Sequence, residues 1–138
     1  FEGTARLKRL PNVHFLPAVD RADIPATIAE LDVCLIPYRI SAAVERINPL
    51  KLYQYLAAGK PVVSSAIPAV KPFSDVVGWT TTREEFLHAT DRALQEAADP
   101  GRRAQRQGVA RRFTWDAVAE HQLEIFRRAL ATHPHGDF

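Results

Sequence analysis

Lys51 and Gln54 are the polar residues on a helix that is otherwise nearly all apolar. Asn48 is a good N-cap residue, Pro49 suits the first helical position, and Gly59 suits the position just past the end. The sequence therefore predicts a helix over residues 49–58. Leu50, Leu52, Tyr53, Tyr55, Leu56 and Ala57 cover most of its circumference, which predicts burial on nearly every side. Lys51, Gln54 and the small Ala58 share the remaining face, at spacings of three and four. Lys51 lies in the first turn, where the helix dipole disfavours a cation and no acid compensates it. A bound anion would resolve that conflict, because N–H groups at a helix start attract phosphates and Lys51 would add charge. A solvated lysine beside a surface glutamine is the other reading, and spacing alone leaves both open.

Short apolar runs alternate with helical patterns around this helix, which predicts an α/β domain with a parallel sheet. Residues 13–16 read as a short strand, and 33–36 as a strand buried on both faces. Residues 62–64 read as a further buried strand and 78–81 as a last one. Residues 23–31 read as a helix capped by Asp23, with Pro25 in its first turn. Thr82 and Glu85 form a capping box, opening a helix to about residue 98 with Phe86, Thr90, Ala93, Leu94 and Ala97 on one face. Asp99, Pro100 and Gly101 read as a turn, and residues 102–112 as a basic helix with Gly108 as its weak point. Thr114 caps a final helix, with Trp115, Val118, Ala119, Gln122, Leu123, Phe126 and Leu130 at helical spacing. Residues 1–132 form the expected domain, and 133–138 a frayed tail.

Composition bounds the function without naming it. Of 138 residues, 46% are hydrophobic and 25% charged, an ordinary globular mix. A net charge of +2 is too small to imply nucleic acid, and the arginines lack interleaved aromatic platforms. No apolar run reaches the roughly 20 residues of a membrane-spanning helix, and no secretory pattern opens the chain. The single cysteine, Cys34, excludes an internal disulfide, is compatible with a reducing cytosol, and is expected to pack as a small hydrophobe. The five histidines include no two pairs at metal-ligand spacing, so a structural metal is not expected. Arg102, Arg103, Arg106, Arg111 and Arg112, joined by Arg127 and Arg128, read as a solvated face or as a patch for anionic lipid headgroups.

Residues 48–65, NPLKLYQYLAAGKPVVSS, with the preceding DVCLIPY strand, resemble the donor-binding half of GT-B glycosyltransferases of family 4, or group 1. The flanking LPNVHFLPAV segment and the Trp115 helix resemble the same family, the latter its terminal helix that folds back toward the partner domain. The resemblance implies a partial Rossmann-like domain, the C-terminal half of a GT-B fold, with its first strands missing. It implies transfer of a hexosyl-type sugar from a nucleoside-diphosphate sugar to an acceptor, with retention at the anomeric carbon and no obligatory metal cofactor. It also implies a cytoplasmic enzyme that meets the membrane at most peripherally.

By that resemblance, Gln54 stands where the family has a Glu that holds the ribose hydroxyls. Arg46 stands where it has a Glu that contacts the transferred sugar. Ile47, Asn48, Pro49 and Leu50 match the loop that approaches the sugar and diphosphate, and Lys51 opens the helix beside the diphosphate. Gln keeps hydrogen-bonding capacity but loses the charge-assisted bond, and Arg cannot accept at all. Glu45, adjacent to Arg46, is a substitute through a shifted loop. No residue is assigned a catalytic role, because the acceptor site is expected in an N-terminal domain. The chain has no methionine and starts at Phe1, so upstream sequence is expected; by the family's strand order, two upstream strands would lie in the sheet between the strands at 13–16 and 33–36. Without them the piece alone is expected to be poorly stable, through exposed strand edges.

Overall fold

The computed structural model describes residues 2–132, so the expected tail at 133–138 lies outside the described residues. Its centre is a three-stranded parallel sheet in the order β1 (Cys34–Ile36), β2 (Val62–Ser65), β3 (Val77–Thr80). Cys34 pairs with Val62, and Val62 with Val77, so the strands run in step. Around the sheet lie α1 (Glu2–Leu7), α2 (Ile24–Ala29), α3 (Leu50–Ala57), α4 (Arg83–Gln95), α5 (Pro100–Arg111) and α6 (Trp115–Thr132). Two 3-10 turns, Val44–Arg46 and Pro68–Phe73, complete the elements. The α/β class and the parallel sheet are as the alternating pattern predicts.

One face of the sheet carries the main core. Cys34, Ile36 and Val62 pack there with Leu52 and Leu56 of α3, Ile28 of α2, Val70 and Phe73 of the second 3-10 turn, and Ile67 just before it. On the other face Val63 packs with Ala89 and Ala93 of α4, with Val33 and Phe86 at the margin. Gly78 keeps α4 close, since a Cβ there would lie 3.1 Å from Ala89 Cβ. This second layer stops short of β1, so Leu35 is 42% exposed. The expectation that β1 is buried on both faces therefore fails on one face, for want of a covering element.

Several other expectations need correction. Residues 13–16 are not a strand: no described strand lies beside them to pair with their N–H and C=O groups, and Phe15 and Leu16 are exposed. Asp23 occupies the N-cap position of α2 without a side-chain cap, and its carbonyl instead accepts from Thr27 Oγ1 at 3.0 Å. Asp99, Pro100 and Gly101 are a helix start rather than a free turn. Asp99 Oδ1 accepts from the amides of Gly101 at 2.8 Å and Arg102 at 3.1 Å, and Pro100 is the first residue of α5. On α4 the buried positions are Ala89 and Ala93, while Leu94 faces solvent.

The capping box is present in full. Thr82 Oγ1 accepts from the Glu85 amide at 3.1 Å, and Glu85 Oε2 accepts from the amides of Thr81 and Thr82. Thr114 Oγ1 accepts from the Ala117 amide at 3.2 Å, as expected of the α6 cap. Beyond it, α6 buries no residue: Trp115 is 83% exposed, and Leu123, Phe126 and Leu130 are exposed with it. Cys34 packs as expected. Burial pushes its thiol up to about 11, against the opposing pull of Lys60.

Candidate active site

In a parallel β-α-β unit the helix runs back against the strands. The start of α3 must therefore lie at the carboxyl edge of the sheet, beyond the ends of β1 and β2. Ligands of open α/β sheets bind at that edge. The edge is tied together by its own hydroxyls. Ser65 Oγ donates to Tyr38 O at 2.7 Å and to Ile36 O at 3.2 Å, which holds the chain leaving β1 against the end of β2. Thr80 Oγ1 donates to Ser64 O at 3.0 Å, which joins β3 to β2 at the same end. A cleft of about 290 Å³ opens here, lined by Tyr38, Ser65, Thr80, Arg83 and Phe86 among others.

The approach to α3 runs through every residue singled out from sequence. Arg46 ends the 3-10 turn Val44–Arg46 and is exposed. Ile47 turns the backbone to an extended conformation (φ −82°, ψ 133°) and is half-buried. Pro49, not Asn48, holds the N-cap position of α3, with an extended backbone (φ −75°, ψ 112°) and a buried ring. Asn48 lies one residue before that position, and its Oδ1 accepts from the Tyr53 hydroxyl at 3.0 Å. Helix α3 thus starts without a side-chain cap or an acid in its first turn. The Leu52 amide reaches Pro49 O at 3.0 Å, and among the described residues the amides of Leu50 and Lys51 have no protein acceptor.

Lys51 is exposed in that first turn and Gln54 is half-buried one turn later; neither side chain has a partner among the described residues. Leu50 is 64% exposed, and Ala57 is exposed as well. Near-complete burial of α3 is therefore not observed: Leu52 and Leu56 point into the core, while the first turn stands clear at the edge. The far end closes as its glycine predicts. Gly59 has φ +74°, and the amides of Gly59 and Lys60 return to Leu56 O and Tyr55 O at 2.9 and 3.0 Å.

Sequence reasoning missed the role of Tyr53. Its ring packs edge-on against Phe73 at 5.8 Å and against Phe113 at 5.3 Å, while its hydroxyl holds Asn48. The i to i+5 reach from Asn48 to Tyr53 was the only local signal for it. Sequence reasoning also treated Arg106 as part of a basic surface. It is 2% exposed, between Glu96 and the Gly59 carbonyl.

Comparison with known proteins bears on the family of the chain. A family model described as glycosyl transferases group 1 matches residues 2–99. A Bacillus subtilis (strain 168) protein described as "Putative teichuronic acid biosynthesis glycosyltransferase TuaH" is 30% identical over 116 residues. That match covers 81% of this chain and 29% of the relative, so the chain spans under a third of the relative's length. No solved structure matches the chain at a significant level. With the family model covering most of its length, and a parallel sheet flanked by helices, the chain belongs to the group 1 glycosyltransferases.

Proposed function

We propose that this chain is the donor-binding half of a glycosyltransferase that moves a sugar from a nucleoside-diphosphate sugar to an acceptor. The observation that carries the proposal is the start of α3: two amides without acceptors among the described residues, no acid in the first turn, and an exposed lysine, all at the carboxyl edge of the sheet. Such a group of donors favours a diphosphate. As the bond to the sugar breaks, negative charge grows on the leaving diphosphate. The amides of Leu50 and Lys51, with the Lys51 ammonium, stabilise that charge without reorganising. In this reading Gln54 meets the ribose, Arg46 and Ile47 lie toward the sugar, and Asn48 and Pro49 set the path of the loop. No obligatory divalent metal is needed for charge stabilisation of this kind.

Further parts of the proposal follow the family reading: a hexosyl donor, retention at the anomeric carbon, and a product in cell-surface polysaccharide or glycolipid. The acceptor would sit in an N-terminal domain. The exposed apolar face of α6, with Trp115, Phe126 and Leu130, is suited to folding back on that domain. No described helix is long and apolar enough to cross a membrane. Peripheral contact with anionic lipid at the cytoplasmic face would use the exposed Arg103, Arg111 and Arg112, and not the buried Arg106.

A second reading is a nucleotide-binding or interaction domain without turnover. It is favoured by Arg46 and Gln54, which stand where the family has glutamates. Transfer or hydrolysis assayed over a panel of uridine and guanosine diphosphate sugars, with the full-length protein, separates the two. Turnover of any donor supports the enzyme; tight binding without turnover supports the second reading. Donor binding that is unmoved by the Gln54→Glu and Arg46→Glu changes would sink the residue assignments.

A further inference from the structure

The opposite edge of the sheet carries a second charged cluster that the donor reading does not use. A crevice of about 180 Å³ lies at the starts of β2 and β3, where Pro61, Val62, Val76 and Val77 form its apolar wall. Its polar wall is Arg92, Glu96, Arg102 and Arg106. Glu96 Oε2 accepts from Arg106 Nη2 and from Arg102 Nε, each at 3.0 Å. Arg102 Nη1 turns outward to Gln105 Oε1 at 2.9 Å. Arg92 is exposed at the mouth, with no ion pair among the described residues. Two guanidinium groups therefore share one carboxylate oxygen, and a third stands beside them at the mouth.

Arg106 is the informative member. It is 2% exposed, yet of its five N–H donors only two have acceptors, and the Nη1 contact to Gly59 O is long at 3.4 Å. Its Nε is buried with no acceptor among the described residues. A buried guanidinium needs its charge paired and its donors satisfied. A single bridging water requires only about 10–15 Å³ of such space, so the crevice is much larger than that repair demands. Glu96 Oε2 already serves two arginines, and no oxygen of Glu96 reaches Arg106 Nε. A small group with several anionic oxygens would meet both needs, bridging the Arg106 floor and the Arg92 mouth.

We propose that this crevice binds a small tetrahedral oxyanion, either free phosphate or the phosphate of a phosphomonoester. The occupied site would tie α5 to the end of α4 and the base of the sheet. It lies at the other edge from the start of α3, so it does not depend on the donor assignment.

The test is thermal unfolding of the full-length protein in inorganic phosphate against chloride at matched ionic strength. A parallel arm uses glycerol phosphate as the monoester. Binding to the folded state raises the midpoint, by about 3 °C at a saturating level. Because Arg106→Gln removes a buried group and risks unfolding, the informative variant is Arg92→Gln at the exposed mouth. Because the start of α3 would also attract phosphate, the variants are compared in a Lys51→Gln background, where the shift is expected to persist and to vanish on adding Arg92→Gln. A shift with phosphate alone identifies free phosphate as the ligand, and an equal shift with glycerol phosphate identifies the monoester class. No shift in either arm, a shift that survives Arg92→Gln in that background, or one already lost in Lys51→Gln would overturn the proposal.

Discussion

The Tyr53 hydroxyl donates to Asn48 Oδ1 at 3.0 Å, and this one bond fixes the residue that leads into α3. The Tyr53 ring is itself held by Phe73 and Phe113. The loop before α3 is thus braced against the end of α5, far from it in sequence. Tyr53→Phe keeps the ring contacts and removes only the hydroxyl. An exposed neutral bond contributes about 0.5–1 kcal/mol, so the donor KM is expected to rise about two- to five-fold with little change in kcat. An unchanged KM would mean that Asn48 does not position the loop.

Gly59 closes α3 in the left-handed region, at φ +74°. A Cβ there would lie 2.6 Å from Arg103 Cγ. Arg103 must turn near its base to clear that carbon, which adds to the backbone strain. Gly59→Ala is expected to cost about 1–2 kcal/mol, read as a lower midpoint in urea unfolding with an unchanged slope. A midpoint equal to that of the parent would show that the helix end relaxes freely.

Glu85 is held below the usual glutamate range, chiefly by the Thr81 amide, then by the Thr81 hydroxyl and the Thr82 amide. A carboxyl with a lowered folded-state pKa adds stability that is fully present above its unfolded pKa. That stability is lost as the pH falls through the folded value. Stability should therefore decline below about pH 4.3, and Glu85→Gln should flatten this part of the profile. Identical acid limbs for parent and variant would remove Glu85 from the pH dependence.

The legible features were the local ones. The capping box and the glycine end of α3 are written within a few residues, and both form as expected. The sheet was legible from three short apolar runs followed or preceded by helices. What failed depended on partners distant in sequence or absent. Residues 13–16 have strand-like composition but no described neighbour to pair with. Asn48 has the right type for a cap, yet the helix starts one residue later and its oxygen accepts from Tyr53. Arg106 sits in a run of arginines that looks like a solvated face; its burial comes from Gly59 and Glu96, which its local pattern does not reveal. At the candidate site Lys51 and Gln54 stood out by their spacing, the roles of residues 46–50 came from resemblance, and the missing side-chain cap of α3 came from the structure.

Donor binding at the start of α3 is the central claim, and Lys51→Gln tests it most directly. The measurement is the affinity of the full-length protein for its nucleoside-diphosphate sugar, by titration calorimetry. A charge-assisted bond is worth about 1.5–3 kcal/mol, and Lys51 is exposed, so a loss near the lower end, about ten-fold, is expected. Stability without donor should hold or rise by a few tenths of a kcal/mol, about the cost of a cation in the first turn. An affinity equal to that of the parent, in a folded variant, would contradict the account.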